Sequence, residues 1–174
     1  MSAAKVALVT GASKGVGQGI AVGLAEAGWT VHVSGRNLER LQETTDRVAA
    51  AGGTGILHVC EHTEDEDVRR LVRTAHADAG RLDLLVNNAW AGPRMNHQRP
   101  EKFWQRPLDD WDSLIGVGLR AHYVATHAAA PLMIEQGSGL IVNISSVGTR
   151  AYLHSTLYGV SKAGLDKLTH DAAL

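Results

Sequence analysis

Short runs built almost entirely of β-branched and aliphatic residues alternate along this chain with longer stretches in which apolar positions recur every three or four residues. The short runs are Lys5–Thr10 (KVALVT), Thr30–Ser34 (TVHVS), Gly55–Cys60, Asp83–Asn87 (DLLVN) and Leu140–Ile144 (LIVNI). They lack the polar alternation of a half-exposed strand, so they predict strands buried on both faces, as in a parallel sheet covered by helices. The stretches between them predict helices over Val16–Ala27, Leu38–Ala51, Thr63 to about Ala79, Leu108 to about Glu135, and from Ser155 to the end. Gly28 and the Gly52-Gly53 pair close the first two, and Thr63 with Glu66 three residues on reads as a capping box for the third. A proline-rich loop separates the fourth strand from the long helix. No internal repeat, low-complexity segment or linker interrupts the pattern. Residues 1–174 therefore read as a single doubly wound α/β domain.

Composition narrows the class. The 174 residues carry 17 basic and 18 acidic side chains and are 44% hydrophobic, enough for one core and outside the range of disordered chains. A net charge of −1 with no Lys/Arg cluster gives no reason to expect a nucleic-acid partner. Cys60 is the single cysteine, which excludes an internal disulfide and suits a reducing compartment. The opening MSAAKVALVTGAS lacks a basic region followed by a long apolar core, and no run approaches 18 apolar residues. No membrane span and a cytoplasmic location are the expectations.

The turn after the first strand holds the most informative residues. Thr10-Gly11-Ala12-Ser13-Lys14-Gly15-Val16-Gly17 leaves a strand and opens a helix, the context in which a glycine pattern reads as a dinucleotide loop. Gly11 and Gly15 let the backbone turn tightly and approach a pyrophosphate, and Gly17 permits close helix packing. The helix start, with Ser13, Lys14 and Val16, then offers N–H groups and partial positive charge to the phosphates. A Rossmann-type sheet follows from this loop and the strand–helix beat. The end of the second strand reads Ser34-Gly35-Arg36-Asn37, with no acid before Glu39 to bind both ribose hydroxyls. Arg36 and Lys14 are instead placed to pair with a 2′-phosphate, which predicts NADP(H).

The glycine turn TGASKGVG, the Asn87-Asn88-Ala89 turn after the fourth strand and Tyr158-x-x-x-Lys162 occur in this order at the elements where one family carries them. The set resembles the short-chain dehydrogenase/reductase family along the whole chain. NNAWAG, the Phe103-Trp104 pair and Val117–Tyr123 (VGLRAHY) resemble one subgroup of it more closely. The resemblance implies an oxidoreductase that interconverts a small carbonyl compound and a secondary alcohol. Tyr158 would be the proton donor and acceptor. A free tyrosine, with a pKa near 10, is a poor base, and the Lys162 ammonium one helical turn away would favour its phenolate. Lys162 would also hold the nicotinamide ribose, Glu61 would lie near the adenine, and Asn88 and Ala89 would line the cofactor.

The family's serine stands at the end of the fifth strand. Asn143-Ile144-Ser145-Ser146 offers two, and matching the family's N-I-S-S pattern favours Ser146, its hydroxyl holding the substrate oxygen. Where the family has an asparagine in the long helix, this chain has Gly118, with Gly116 two residues earlier. Two glycines predict an irregular helix there, with a backbone carbonyl still able to hold a relay water. The family also continues past this point with further strands, so the resemblance implies a C-terminally incomplete sequence. It implies too a homodimer or homotetramer through the last two long helices. A non-catalytic NADP(H)-binding protein is the alternative function.

Other groupings receive plainer readings. His58, Cys60, Glu61 and His62 look like metal ligands by composition, but alternate side chains of a strand face opposite ways, so no metal is expected. His122 and His127 are expected to be ordinary helix residues. Trp90, Trp104 and Trp111 cluster after the fourth strand and either wall a substrate site or pack a loop or interface.

Overall fold

The computed structural model describes residues 4–92 and 102–173; the proline-rich loop mostly lies outside them. Five parallel strands form the sheet: β1 (Val6–Val9), β2 (Thr30–Gly35), β3 (Thr54–Val59), β4 (Leu84–Asn87) and β5 (Leu140–Asn143). Their order is β3-β2-β1-β4-β5. The chain winds outward from β1 to β3, crosses back to lay β4 beside β1, and then adds β5 outside β4. The strand order thus reverses between β1 and β4, the place where open α/β sheets leave a crevice at their carboxyl ends.

Both faces of the sheet are covered, as the all-apolar strands require. On one face Ala7, Val9, Val31, Val33 and Val86 pack against Ala21 and Ala25 of helix α1 (Gly15–Glu26) and Leu41 and Val48 of α2 (Leu38–Ala50). On the other, Val6, Leu8 and Leu85 meet Val68, Leu71 and Val72 of α3 (Asp65–Ala77) and Val124, Ala125 and Ala129 of α4 (Ala121–Gln136). Helix α5 (Thr156–Asp171) packs against the segment leading into α4. Among the described residues β5 pairs with β4 alone, and its Leu140 is 59% exposed.

Two elements depart from expectation. The capping box at Thr63 does not form. Helix α3 starts at Asp65, its N-cap Glu64 makes no side-chain bond, and Glu66 turns forward to Arg73 and Arg69. Asp65, Glu66 and Asp67 in its first turn stabilise that end through the helix dipole instead. The long helix begins near Asp110 rather than Leu108, and residues Asp112–Arg120 wind as a π-helix. The Ala121 N–H reaches back five residues to the Gly116 carbonyl. The irregularity expected from Gly116 and Gly118 takes this widened form.

Candidate active site

The glycine turn is shaped by close approach. Gly11 has φ +65°, and a Cβ there would lie 2.6 Å from the Ala89 Cα. A Cβ on Gly17 would fall 2.4 Å from Asn88 Nδ2 and 2.8 Å from the Gly11 carbonyl oxygen. Only glycine lets the β1 turn and the β4 turn touch. Side chains then fasten them. Thr10 Oγ1 accepts from the N–H groups of Asn88 and Ala89 at 3.0 and 3.1 Å, and Asn88 Nδ2 donates to the carbonyls of Thr10 and Gly11 at 2.8 and 3.1 Å.

A cleft of about 320 Å³ opens over these turns at the reversal point of the sheet. Gly11, Ser13, Lys14, Arg36, Glu61 and Ala89 line it, so six of the residues singled out from the sequence meet in one cavity. Gly15 (φ +59°) and the exposed Val16 sit at the start of α1, while Gly17 and Asn88 lie behind the cleft, shaping it through contacts with each other. Arg36 Nη1 stands 3.8 Å from Glu61 Oε2, a solvent-facing pair across the rim.

Three of the lining residues with polar side chains, Asn37, Arg40 and His62, were not among those expected. Asn37 caps α2 by accepting from the Arg40 N–H at 2.8 Å, and Arg40 adds a third cation to the cleft. His62 is buried beside Glu61 with Nε2 3.2 Å from Ser34 Oγ, and burial pushes it down to about 4, so the ring is neutral.

Beyond Trp90, which lines the cleft, α5 presents Tyr158 and Lys162, both less than a tenth exposed. Ser155 caps the helix by accepting from the Tyr158 N–H at 3.1 Å, and Ser161 Oγ donates to the Tyr158 carbonyl at 2.9 Å. Lys162 Nζ donates to the Ile144 carbonyl, beyond the end of β5, at 2.7 Å, and burial lowers its pKa from the ordinary lysine value. Ser146 lies in the same corner. Its Oγ accepts from the Gly148 N–H at 3.1 Å, and a Cβ on Gly148 would sit 2.7 Å from the Tyr158 ring. Ser145 is exposed.

Trp90 links the cleft to this corner. It lines the cleft and meets the Tyr158 ring edge-on, centroids 6.0 Å apart. His154, at φ +64°, meets the same ring edge-on at 4.9 Å. Trp104 packs on Phe103, and Trp111 lines a separate cleft with Ile115 and Arg120. Of the three tryptophans only Trp90 reaches Tyr158.

His122 is not an ordinary helix residue. It is 1% exposed, and its Nε2–H donates to the Ala89 carbonyl at 2.8 Å, propping the β4 turn from below. Burial pushes it down to about 3. His127 is exposed and touches only Tyr123 among the described rings. The ends of β4 and β5 are laced by amides: Asn87 Nδ2 donates to Asn143 Oδ1 at 2.9 Å, and Asn143 Nδ2 donates to Thr169 Oγ1 of α5 at 2.8 Å.

This geometry has close relatives. The family model for short chain dehydrogenases matches residues 5–174. The chain belongs to the short-chain dehydrogenase family. Human dehydrogenase/reductase SDR family member 1 is 43% identical over 171 residues, covering 97% of this chain and 55% of the relative. The mouse protein of that name is 41% identical over the same shares. The chain therefore spans about half the length of these curated short-chain dehydrogenases. A crystal structure of a metagenomic short-chain oxidoreductase in complex with NADP matches with a TM-score of 0.87 at 36% identity, covering 97% of this chain and 75% of that one. NAD⁺-bound xylitol dehydrogenase matches with the same TM-score at 31% identity, covering 97% and 64%. The family's nicotinamide site thus accommodates either cofactor in neighbours of this fold.

Proposed function

We propose that this chain carries the cofactor site and catalytic residues of an NADP(H)-dependent oxidoreductase that interconverts a carbonyl compound and a secondary alcohol. The observation that carries the reading is the single cleft that runs from Lys14, Arg36 and Arg40 to Trp90, against which Tyr158 packs. The residues fit the cofactor on their own chemistry. The Gly11 and Gly17 positions have no room for side chains, the start of α1 offers N–H groups to a pyrophosphate, and three cations stand where an acid would exclude a 2′-phosphate. When bound, the nicotinamide supplies or accepts the hydride.

The chain's own groups handle the oxygen and its proton. Ser146 Oγ donates a hydrogen bond to the carbonyl oxygen and fixes it in line. Tyr158 gives its phenolic proton to that oxygen during reduction and takes it back during oxidation. Lys162 lies one turn along α5, and its buried ammonium stabilises the phenolate and holds the nicotinamide ribose. The widened turns around Gly118 leave backbone carbonyls able to hold a relay water behind Lys162. Trp90 and His154 present an aromatic wall to the substrate, which suits an apolar carbonyl compound. The exposed Tyr123 and Ile134 of α4 and Val160 of α5 mark the surfaces for a homodimer or homotetramer.

Tyr158→Phe in the full-length enzyme tests the reading. Turnover should fall by at least about 10³-fold, while NADPH binding, followed by quenching of tryptophan fluorescence, stays within about twofold. Turnover retained in the phenylalanine variant would remove Tyr158 from the mechanism and leave a nucleotide-binding protein.

A further inference from the structure

Two histidines stand together on the face of the sheet covered by α3, outside the nucleotide cleft. His32, in the middle of β2, is fully buried, and its Nδ1 lies 2.8 Å from Nε2 of His58 on the adjacent strand β3. The ring planes lie 14° from parallel with centroids 5.1 Å apart, so the two rings meet edge to edge through these nitrogens. A carboxylate completes the group: Oδ2 of Asp78, which closes α3, is 3.9 Å from His32 Nδ1. One donor atom from each residue lies within 4.8 Å of the others. A fully buried histidine within a parallel strand is a costly choice, and the cofactor and catalytic residues make no use of it. Its Nε2 is buried without a hydrogen-bond partner among the described residues, so the ring is held only through the edge that faces His58 and Asp78.

We infer that His32 Nδ1, His58 Nε2 and the Asp78 carboxylate form a site for one divalent transition-metal ion of the zinc type, tying β2 and β3 to the end of α3. Two imidazole nitrogens and one carboxylate oxygen suit zinc, cobalt or nickel, whereas magnesium and calcium require oxygen-rich shells. Metal–ligand bonds of about 2.0–2.2 Å place tetrahedral ligand atoms about 3.3 Å apart. The two nitrogens would open from 2.8 Å by about half an ångström, and the carboxylate would close from 3.9 Å on His32 and from within 4.8 Å on His58, a shift of about 0.6–1.5 Å. The Asp78 side chain, 42% exposed, has room to make that shift. Entry is provided by a cleft of about 80 Å³ that His58 shares with Asp67, Arg70 and Thr74. Water or an outside ligand takes the fourth position. The sequence hid this trio because its members lie in three separate elements, and the cluster visible by composition, Cys60 and Glu61 with His58 and His62, is a different one.

The test is a Zn²⁺ titration of chelator-treated full-length protein by calorimetry, repeated with Co²⁺ to read the visible ligand-field band. One equivalent should bind in the wild type, with affinity lower by about 100-fold in His58→Gln and about tenfold in Asp78→Asn. Far-UV circular dichroism checks that each variant is folded. If His58→Gln fails that check, the surface substitution Asp78→Asn decides alone. Wild-type affinity retained in Asp78→Asn, or wild-type binding no tighter than in folded His58→Gln, would assign any bound ion to surface histidines such as His127 and His170 and overturn the site.

Discussion

Lowering the pH from 7.5 to 5.0 should strip this protein of several kilocalories of stability, because three imidazoles are buried uncharged. Burial pushes His32 and His62 down to about 4 and His122 to about 3, whereas in the unfolded chain each titrates near 6.5. Between those values the unfolded state binds more protons than the native one, so stability is complete above about pH 7 and declines as the pH falls towards 4. Integrated from pH 7.5 to 5.0, each histidine costs about 2 kcal/mol, and the three together about 6 kcal/mol. That compares with the roughly 5–15 kcal/mol total stability of an ordinary domain. The ion-paired carboxylates do not contribute in this window. Arg81 holds Asp83 below the usual carboxylate range, and the stability it confers is lost only as the pH drops through and below about 4. Urea unfolding followed by circular dichroism at several values from pH 7.5 to 5.0 reads the slope directly. His62→Gln keeps a hydrogen-bonding group near Ser34 but removes one titrating site, so the loss over this range should shrink by about 2 kcal/mol. A flat wild-type profile, or an unchanged slope in the variant, would refute the buried neutral histidines.

Three further outcomes are expected. Arg36→Ala should weaken NADPH by about tenfold or more while leaving NADH within about twofold; equal wild-type affinity for the two cofactors would dispose of the charge argument. Gly17→Ala forces a Cβ to 2.4 Å from Asn88 Nδ2 and 2.8 Å from the Gly11 carbonyl, so it should cost about 2 kcal/mol or more in urea unfolding and abolish nucleotide binding. Gly118→Asn places its Cβ 3.4 Å from Ser161 Oγ, a tight but tolerable fit, and should leave kcat similar or higher; a collapse would mean that the relay depends on the bare backbone.

The sheet was legible because a parallel strand buried on both faces has no choice but to be apolar, and all five runs lie where the pattern puts them. The glycine turn was legible because its residues are dictated locally, by φ and by the need for empty space. The start of α3 was misread from a local rule: Glu66 can reach back to Thr63, but Arg73 and Arg69 on its own helix hold it forward. His122 and Arg40 were missed for a different reason. What each does depends on a partner far away in sequence, the Ala89 carbonyl for one and the cleft across the β1 turn for the other, and no periodicity encodes such a partner. The pairing of Ser146 with the Tyr158 corner followed from the strand-end pattern, whereas the aromatic role of His154 had no signal beyond its being next to Ser155.

The reciprocal hydrogen bonds between Thr10 and the Asn88-Ala89 turn have a consequence for how this site evolves and binds. They join two chain segments 78 residues apart through one hydroxyl and one amide, so the glycine turn at the cleft is preorganised by the fold itself. On the proposed function, little conformational entropy would be lost when a dinucleotide arrives there, and its binding energy would go to affinity rather than to ordering. By the same logic, the turn cannot drift independently of the sheet. A substitution at Thr10 or Asn88 reaches the ligand and the fold together, which couples the chemistry that can be explored at this cleft to the stability the domain has in hand.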